Sequence, residues 1–299
     1  AIVTGLLLLV LRSASEGAKA LGKPFAATIM EFVAVPALTL LLLAAYFGLA
    51  TAVFADAAAA YILASLAAAG LGALFLVTRL GDWRAPAGDL PRRWTSRRSV
   101  FAQIEIGQFL TSVGAIAFLP LVLTSADVGV LNLVLRIAAL VSLVTATIPT
   151  IFLPRLAAAQ AAGDTALFDG TLRTMRLIMG FSGIMAFVCI VLAGPFILQF
   201  AGPEFARGAS ALPWAAAGFC AALALGPAGT QLTLLGQERV MRDTILPLGI
   251  IGILASLLAG WLGGLTAAAA MPGAAALVAR IIQLAALRRF QRHGAERAE

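Results

Sequence analysis

Apolar residues along this chain come in blocks of about twenty, separated by short polar interruptions. A block of that length crosses the hydrocarbon layer of a bilayer as a helix, because a helix satisfies its backbone polar groups internally. Nine such stretches are present, at residues 1–20, 25–47, 52–79, 100–123, 128–153, 174–200, 208–235, 244–263 and 265–287. Turn or charge signals mark the breaks: Gly22-Lys23-Pro24, Ser125-Ala126-Asp127, Gly202-Pro203-Glu204, Gly236-Gln237-Glu238 and Gly263-Gly264. The longest polar stretch, Gly81 to Arg98, separates three spans from six. The pattern predicts an all-α integral membrane protein, a polytopic helical bundle of about nine spans. The first run meets Arg12 after only eleven residues and has no charged n-region or cleavage site of a signal peptide. It reads as a span continued from upstream, so the chain is expected to be the C-terminal part of a longer protein.

Alternate connections between spans lie on the same side, which sorts the cations. Of the 21 Lys and Arg residues, 18 fall on one side: Arg12, Lys19 and Lys23, Arg79 and the five arginines of the long loop, and those near residues 155–176, 239–242 and 288–297. The other side holds only Arg207, and Arg136 and Arg280 lie within spans. Positive charge favours the cytoplasmic face, so the basic side and the C-terminus are expected inside a cell (inner) membrane. One missed or invented helix would scramble that division. The net charge of +7 is thus a topology signal, and nucleic acid is not needed to explain it.

Composition excludes several classes. Apolar residues make up 61% and charged residues 12%, against about 45–50% and 25% in a soluble domain. The mean hydropathy of +0.99 agrees. A water-soluble enzyme, a secreted disulfide scaffold and a disordered tail protein are all ruled out. Cys189 and Cys220 sit in apolar stretches and the single histidine, His293, sits in the polar tail. No spacing of metal ligands or catalytic triad can be assembled from these, so an enzyme is not expected, nor a metal or other cofactor. Gly17-Ala-Lys-Ala-Leu-Gly22-Lys23 has the spacing of a phosphate-cradling loop. Pro24 stands where Ser or Thr should hold magnesium, and an apolar helix stands where a strand should, so it reads as a basic turn.

What remains is a short set of ionisable and amide residues at membrane depth, where such groups are costly and face a cavity or a partner. Arg136 lies eight residues, about 12 Å, into the fifth span. Arg280 lies a similar distance from the basic end of the ninth. Glu31 in the second span and Glu105 in the fourth sit about two turns from the basic side. Gln103 and Gln108 flank Glu105, with Gln231 and Gln283 on other helices. These residues suit a partly cationic cavity for an anionic substrate. The structural alternative pairs Arg280 with Glu105 as interhelical glue and lets Arg136 snorkel outwards. Prolines recur within spans; Pro149 and Pro227 are candidate hinges, with Leu225-Gly-Pro-Ala-Gly229 the strongest break. Leu21-Gly22-Lys23 and Leu235-Gly236-Gln237 each open a proline-containing span, a faint echo of repeated halves.

Three stretches carry a family resemblance: Asp127-Val-Gly-Val-Leu-Asn-Leu-Val-Leu-Arg136-Ile-Ala-Ala-Leu, then Thr150-Ile-Phe-Leu-Pro154-Arg155-Leu-Ala, and Gly226-Pro227-Ala-Gly-Thr-Gln-Leu-Thr-Leu-Leu-Gly236. They resemble the second-lobe signatures of Wzx-type polysaccharide and O-antigen flippases, of the multidrug/oligosaccharidyl-lipid/polysaccharide exporter superfamily. The resemblance covers essentially the whole chain, mapped onto roughly the fourth to twelfth spans of a two-lobed, 6+6 exporter. It implies the remainder of a first lobe at 1–80, a cytoplasmic inter-lobe loop at 81–98, a second six-helix lobe at 99–290 and a cytoplasmic tail at 291–299. It also implies a polyprenyl-pyrophosphate-linked oligosaccharide moved from the inner to the outer leaflet by alternating access. Arg136, Arg280, Glu105, Gln108 and Glu31 are then the candidate substrate contacts, with H+ or Na+ as a possible coupling cation. The competing reading is a cation-coupled drug or metabolite antiporter of the related MATE type.

Overall fold

The computed structural model describes residues 24–47, 54–80 and 92–295, together with Leu7, Val10, Leu11, Ala14, Ser15 and Ala18. Most of the expected first span, and residues 81–91 of the long polar stretch, lie outside the described residues. No strand occurs among the described residues; they are helical apart from short turns. The chain divides into two compact units, Ala1–Gly88 and Asp89–Glu299.

The first unit contains α1 (Pro24–Thr28), a π turn (Ile29–Val33), α2 (Ala34–Phe47) and α3 (Phe54–Leu80). Ala60, Ala64 and Ala68 recur one turn apart on the buried stripe of α3. Without a hydrophobic drive in lipid, helices associate through such small residues, which let backbones approach. Val35 of α2 meets Ala68 and Leu11 in a small core. The opposite faces expose Leu40, Leu41, Leu66 and Leu71, as a lipid-facing surface should.

The second unit runs through α4 (Arg92–Phe109), a π turn (Leu110–Gly114), α5 (Ala115–Phe118) and a 3₁₀ turn (Leu119–Leu121). It continues with α6 (Ser125–Ala139), α7 (Val141–Ala162), α8 (Thr165–Ala201), a 3₁₀ segment (Pro203–Ser210), α9 (Leu212–Ala224), α10 (Ala228–Leu234) and α11 (Glu238–Ala295). Three helical stretches are long and apolar enough to cross a membrane: Ser125–Ala162, Thr165–Ala201 and Glu238–Phe290. A fourth is added if α9 and α10, bent by 41°, count as one span. At Gly264 the backbone of α11 leaves the helical region (φ 65°, ψ −152°). A Cβ on Gly252 would meet Ala275, and one on Gly260 would meet Ala268. Residues before and after Gly264 therefore pair in reverse order, and α11 is an antiparallel hairpin with arms 238–263 and 265–295.

Helix α9 forms the buried axis. Leu212, Ala215, Ala216 and Leu223 are fully enclosed, with α8, α11 and α6 packed around them. Glycine lets main chains touch here: a Cβ on Gly218 would stand 2.1 Å from the Gly273 carbonyl carbon, and one on Gly183 would stand 2.7 Å from the Cys220 oxygen.

The two ends of this unit differ in chemistry. The hairpin tip lies beside Leu119 and Val122 through Gly260. At the same end Arg207 Nη1 meets Asp127 Oδ1 at 2.9 Å. Trp214, Trp261 and Phe200 are exposed at this end, the last by 96%, in the manner of interfacial aromatic girdles. Arg155, Arg173, Arg176, Arg239, Arg242, Arg288 and Arg289 fall towards the opposite end of their helices. Two expected boundaries move. The break placed at Ser125-Ala126-Asp127 lies just before it, because Thr124 Oγ1 accepts from the Asp127 N–H at 3.2 Å and caps α6. Helix α8 starts at Thr165 rather than 174, capped by Asp164, which accepts from the Leu167 N–H at 2.9 Å. Its 37 residues span about 55 Å, against a hydrocarbon layer of about 30 Å, so its polar first turns extend beyond that layer.

Candidate functional site

The local sequence Leu225-Gly226-Pro227 ends α9. Proline supplies no N–H to continue the helix, and Gly226 takes φ 89°, open to a residue without Cβ. The chain restarts at once as α10, a helix of seven residues set at 41° to α9. Two guanidinium groups reach this short helix from different elements.

Arg176 extends from α8 along Gly226, where a Cβ would stand 3.3 Å from Arg176 Cγ. Its Nη2 donates to Gln231 Oε1 at 3.0 Å. Gln231 is only 3% exposed, and its Nε2 is buried with no acceptor. A Cβ on Gly229 would lie 3.4 Å from both Arg280 Nη1 and Gln283 Oε1, and 3.2 Å from Met241 Cε. Arg280 Nη1 donates to Gln283 Oε1 at 3.4 Å. Thr233 Oγ1, one turn beyond Gly229, lies 3.1 Å from Met241 Sδ. Gly229 and Gln231 are two residues apart, about 200° around a helix. Arg176, bonded to Gln231, and Arg280, close to Gly229, therefore stand on roughly opposite faces of α10.

Among the described residues neither guanidinium is ion-paired; each meets a neutral amide. Arg176 and Arg280 bring guanidinium donors to α10, and such groups suit oxyanions.

Of the residues singled out in the sequence, Arg280, Gln231 and Gln283 are brought to α10. Arg280 pairs with Gln283, three residues on, rather than with Glu105. Arg136 stands apart: it is exposed on α6 and its Nε donates to Asn132 Oδ1 at 3.2 Å on the same helix. Glu105 and Gln108 are exposed on α4, and Gln103 is half-buried there. Glu31 falls in the first π turn, and its side chain lies outside the described residues. Pro227 marks the break, whereas α7 runs continuously through Pro149. Arg176 was not anticipated, because sorting by side counts it among loop cations. Its signal is the Asp164 cap, which starts α8 early enough to put Arg176 in the fourth turn.

Elsewhere, an open hollow of about 240 Å³ lies at the α7–α8 turn, lined by Asp164, Asp169, Phe168 and Leu235. Asp164 is already engaged in capping α8. No group of three potential metal ligands occurs among the described residues. Comparison with protein families, with curated proteins and with solved structures finds no match.

Proposed function

We propose that this chain belongs to a membrane transporter that flips a polyprenyl-pyrophosphate-linked oligosaccharide from the inner to the outer leaflet, by alternating access, for O-antigen or exopolysaccharide synthesis. On this reading the apolar stretches are nine spans of a 6+6 exporter. Residues 1–80 finish one lobe and 99–290 form the other, with the basic end and the C-terminus in the cytoplasm. The observation that carries the proposal is the meeting of Arg176 and Arg280 on α10. Arg280, set inside an apolar stretch, costs about 2.5–3.5 kcal/mol at membrane depth on insertion scales. Neither Arg280 nor Arg176 is ion-paired to a carboxylate among the described residues. A pyrophosphate headgroup passing through the layer supplies the missing anion, and a guanidinium fork matches phosphoryl oxygens bidentately. The apolar remainder of the unit leaves the lipid tail in the bilayer while the polar head is handled inside. The division of cations between the two ends supports the orientation.

The test is surface glycan in cells lacking the full-length protein, complemented with wild type or with Arg280→Gln at matched membrane abundance. Wild type should restore long-chain glycan, and the variant should restore a small fraction of it. If the wild type restores no glycan but drives cation-dependent dye extrusion from vesicles, the chain belongs to an antiporter instead.

A further inference from the structure

Helix α10 has three properties that together go beyond the transport reading. Both its ends are glycine joints of positive φ, Gly226 at 89° and Gly236 at 71°. It is a short helix of seven residues that can move as one body between those joints. Its polar anchors are also unequal. Arg176 is exposed at its guanidinium-bearing side chain, yet one of its donors is spent on the buried neutral oxygen of Gln231. Gln231 keeps an unpartnered Nε2, so seating α10 in this position leaves a buried donor unsatisfied.

We propose that α10 is a hinged segment latched by Arg176 and Gln231, and that a polyvalent oxyanion releases it by drawing Arg176 away. The exchange is chemically favoured, because a guanidinium bonds a charged oxyanion more strongly than a neutral amide oxygen. Once Arg176 has turned to the anion, the Gln231 amide loses its one hydrogen bond. It then has two unsatisfied polar ends in an apolar setting, which drives α10 to swing about Gly226 and Gly236 until the amide is hydrated. Leu232, now 1% exposed, moves with it. Leu223, equally buried on α9, is on the other side of the Gly226 joint and stays. The anion could come from a free phosphate compound or from a lipid headgroup, since both present the same phosphoryl oxygens.

The test uses the full-length protein with its cysteines replaced, reconstituted in phosphatidylcholine nanodiscs and carrying either Leu232→Cys or Leu223→Cys. The rate of reaction with N-ethylmaleimide is followed for each probe. Inorganic pyrophosphate should accelerate the Leu232→Cys probe at least fivefold over chloride of equal ionic strength, leaving the Leu223→Cys probe unchanged. Acceleration only when phosphatidic acid is added to the discs would support the same latch with a lipid as the source. Arg176→Gln should make the Leu232→Cys probe fast without anion and unresponsive to it. Arg176→Lys, which keeps a donor and a charge, should retain a smaller response. The proposal is overturned if neither anion source accelerates labelling, if both probes accelerate together, or if Arg176→Gln leaves the rate and its anion response unchanged. None of these readouts depends on glycan transport, so failure of the latch and failure of the transport reading are separable.

Discussion

Replacing Gly218 by alanine tests whether close approach of main chains holds the second unit together. An added Cβ would stand 2.1, 2.3 and 2.6 Å from the carbonyl carbon, oxygen and Cα of Gly273. Carbon atoms in contact prefer about 3.5–4.0 Å, so α9 and the second arm of α11 must part by more than about 1 Å. The obstacle is main chain on both sides, and no rotamer change relieves it. Separation also loosens Ala215, Ala216 and Ala275, which are buried near this crossing. Overpacking costs about 1–3 kcal/mol. Because the backbone cannot yield locally, the cost here should be about 2–3 kcal/mol, a factor of roughly 30–160 in the folding equilibrium. The assay is unfolding of purified full-length protein by titration with SDS, read by tryptophan fluorescence. Gly170→Ala is the matched control: Gly170 is exposed inside α8 with nothing within 4 Å of a new Cβ, so it should gain about 0.5–1 kcal/mol. Equal midpoints for Gly218→Ala and wild type, or equal losses for both variants, would refute the reasoning.

Gly264→Ala makes a complementary case, since a Cβ there meets nothing within 4 Å but φ 65°, ψ −152° is open essentially to glycine alone. It should cost about 1–3 kcal/mol in the same titration through backbone strain. The Arg207–Asp127 pair, 48% and 26% exposed, should contribute less than about 1 kcal/mol by double-mutant cycle, and less still at high salt. Arg136→Ala removes a bond made within one helix from an exposed site, so stability should move by no more than about 0.5 kcal/mol. Surface glycan at normal abundance in that variant would dismiss Arg136 as a substrate contact. Arg280→Gln should leave the resting protein as stable as wild type or more so while lowering export, because it removes an unpaired guanidinium from a half-buried place; a marked loss of stability would make Arg280 a structural residue.

The class of protein was legible because lipid asks one simple thing of a sequence: blocks of apolar residues long enough to span it. The tight breaks were legible for a similar reason. Gly263-Gly264 and Gly226-Pro227 are exceptions to helix chemistry, and the backbone departs from the helix at Gly264 and Gly226 as they require. The beginnings of helices were harder. Hydropathy reports what lies in lipid, so the polar first turns of α8 leave no mark in it, although Asp164 carries the capping signal. The two π turns have no composition of their own and left no mark in the pattern.

Arg176 shows where such reading stops, for a reason of geometry rather than of chemistry. Its partner Gln231 is 55 residues away. Finding the pair requires the start of α8, the bend at Gly226 and the packing of α8 on α9 all at once. An error of one residue in any of these turns a helical side chain by 100° and breaks the contact. Arg280 could be noticed alone because an arginine in an apolar block is conspicuous wherever the helix begins. Arg176 stands near Arg173 and the polar start of its helix, so its charge looks ordinary until α10 is seen against it. A residue whose role depends on the relative placement of three helices is visible only in the fold.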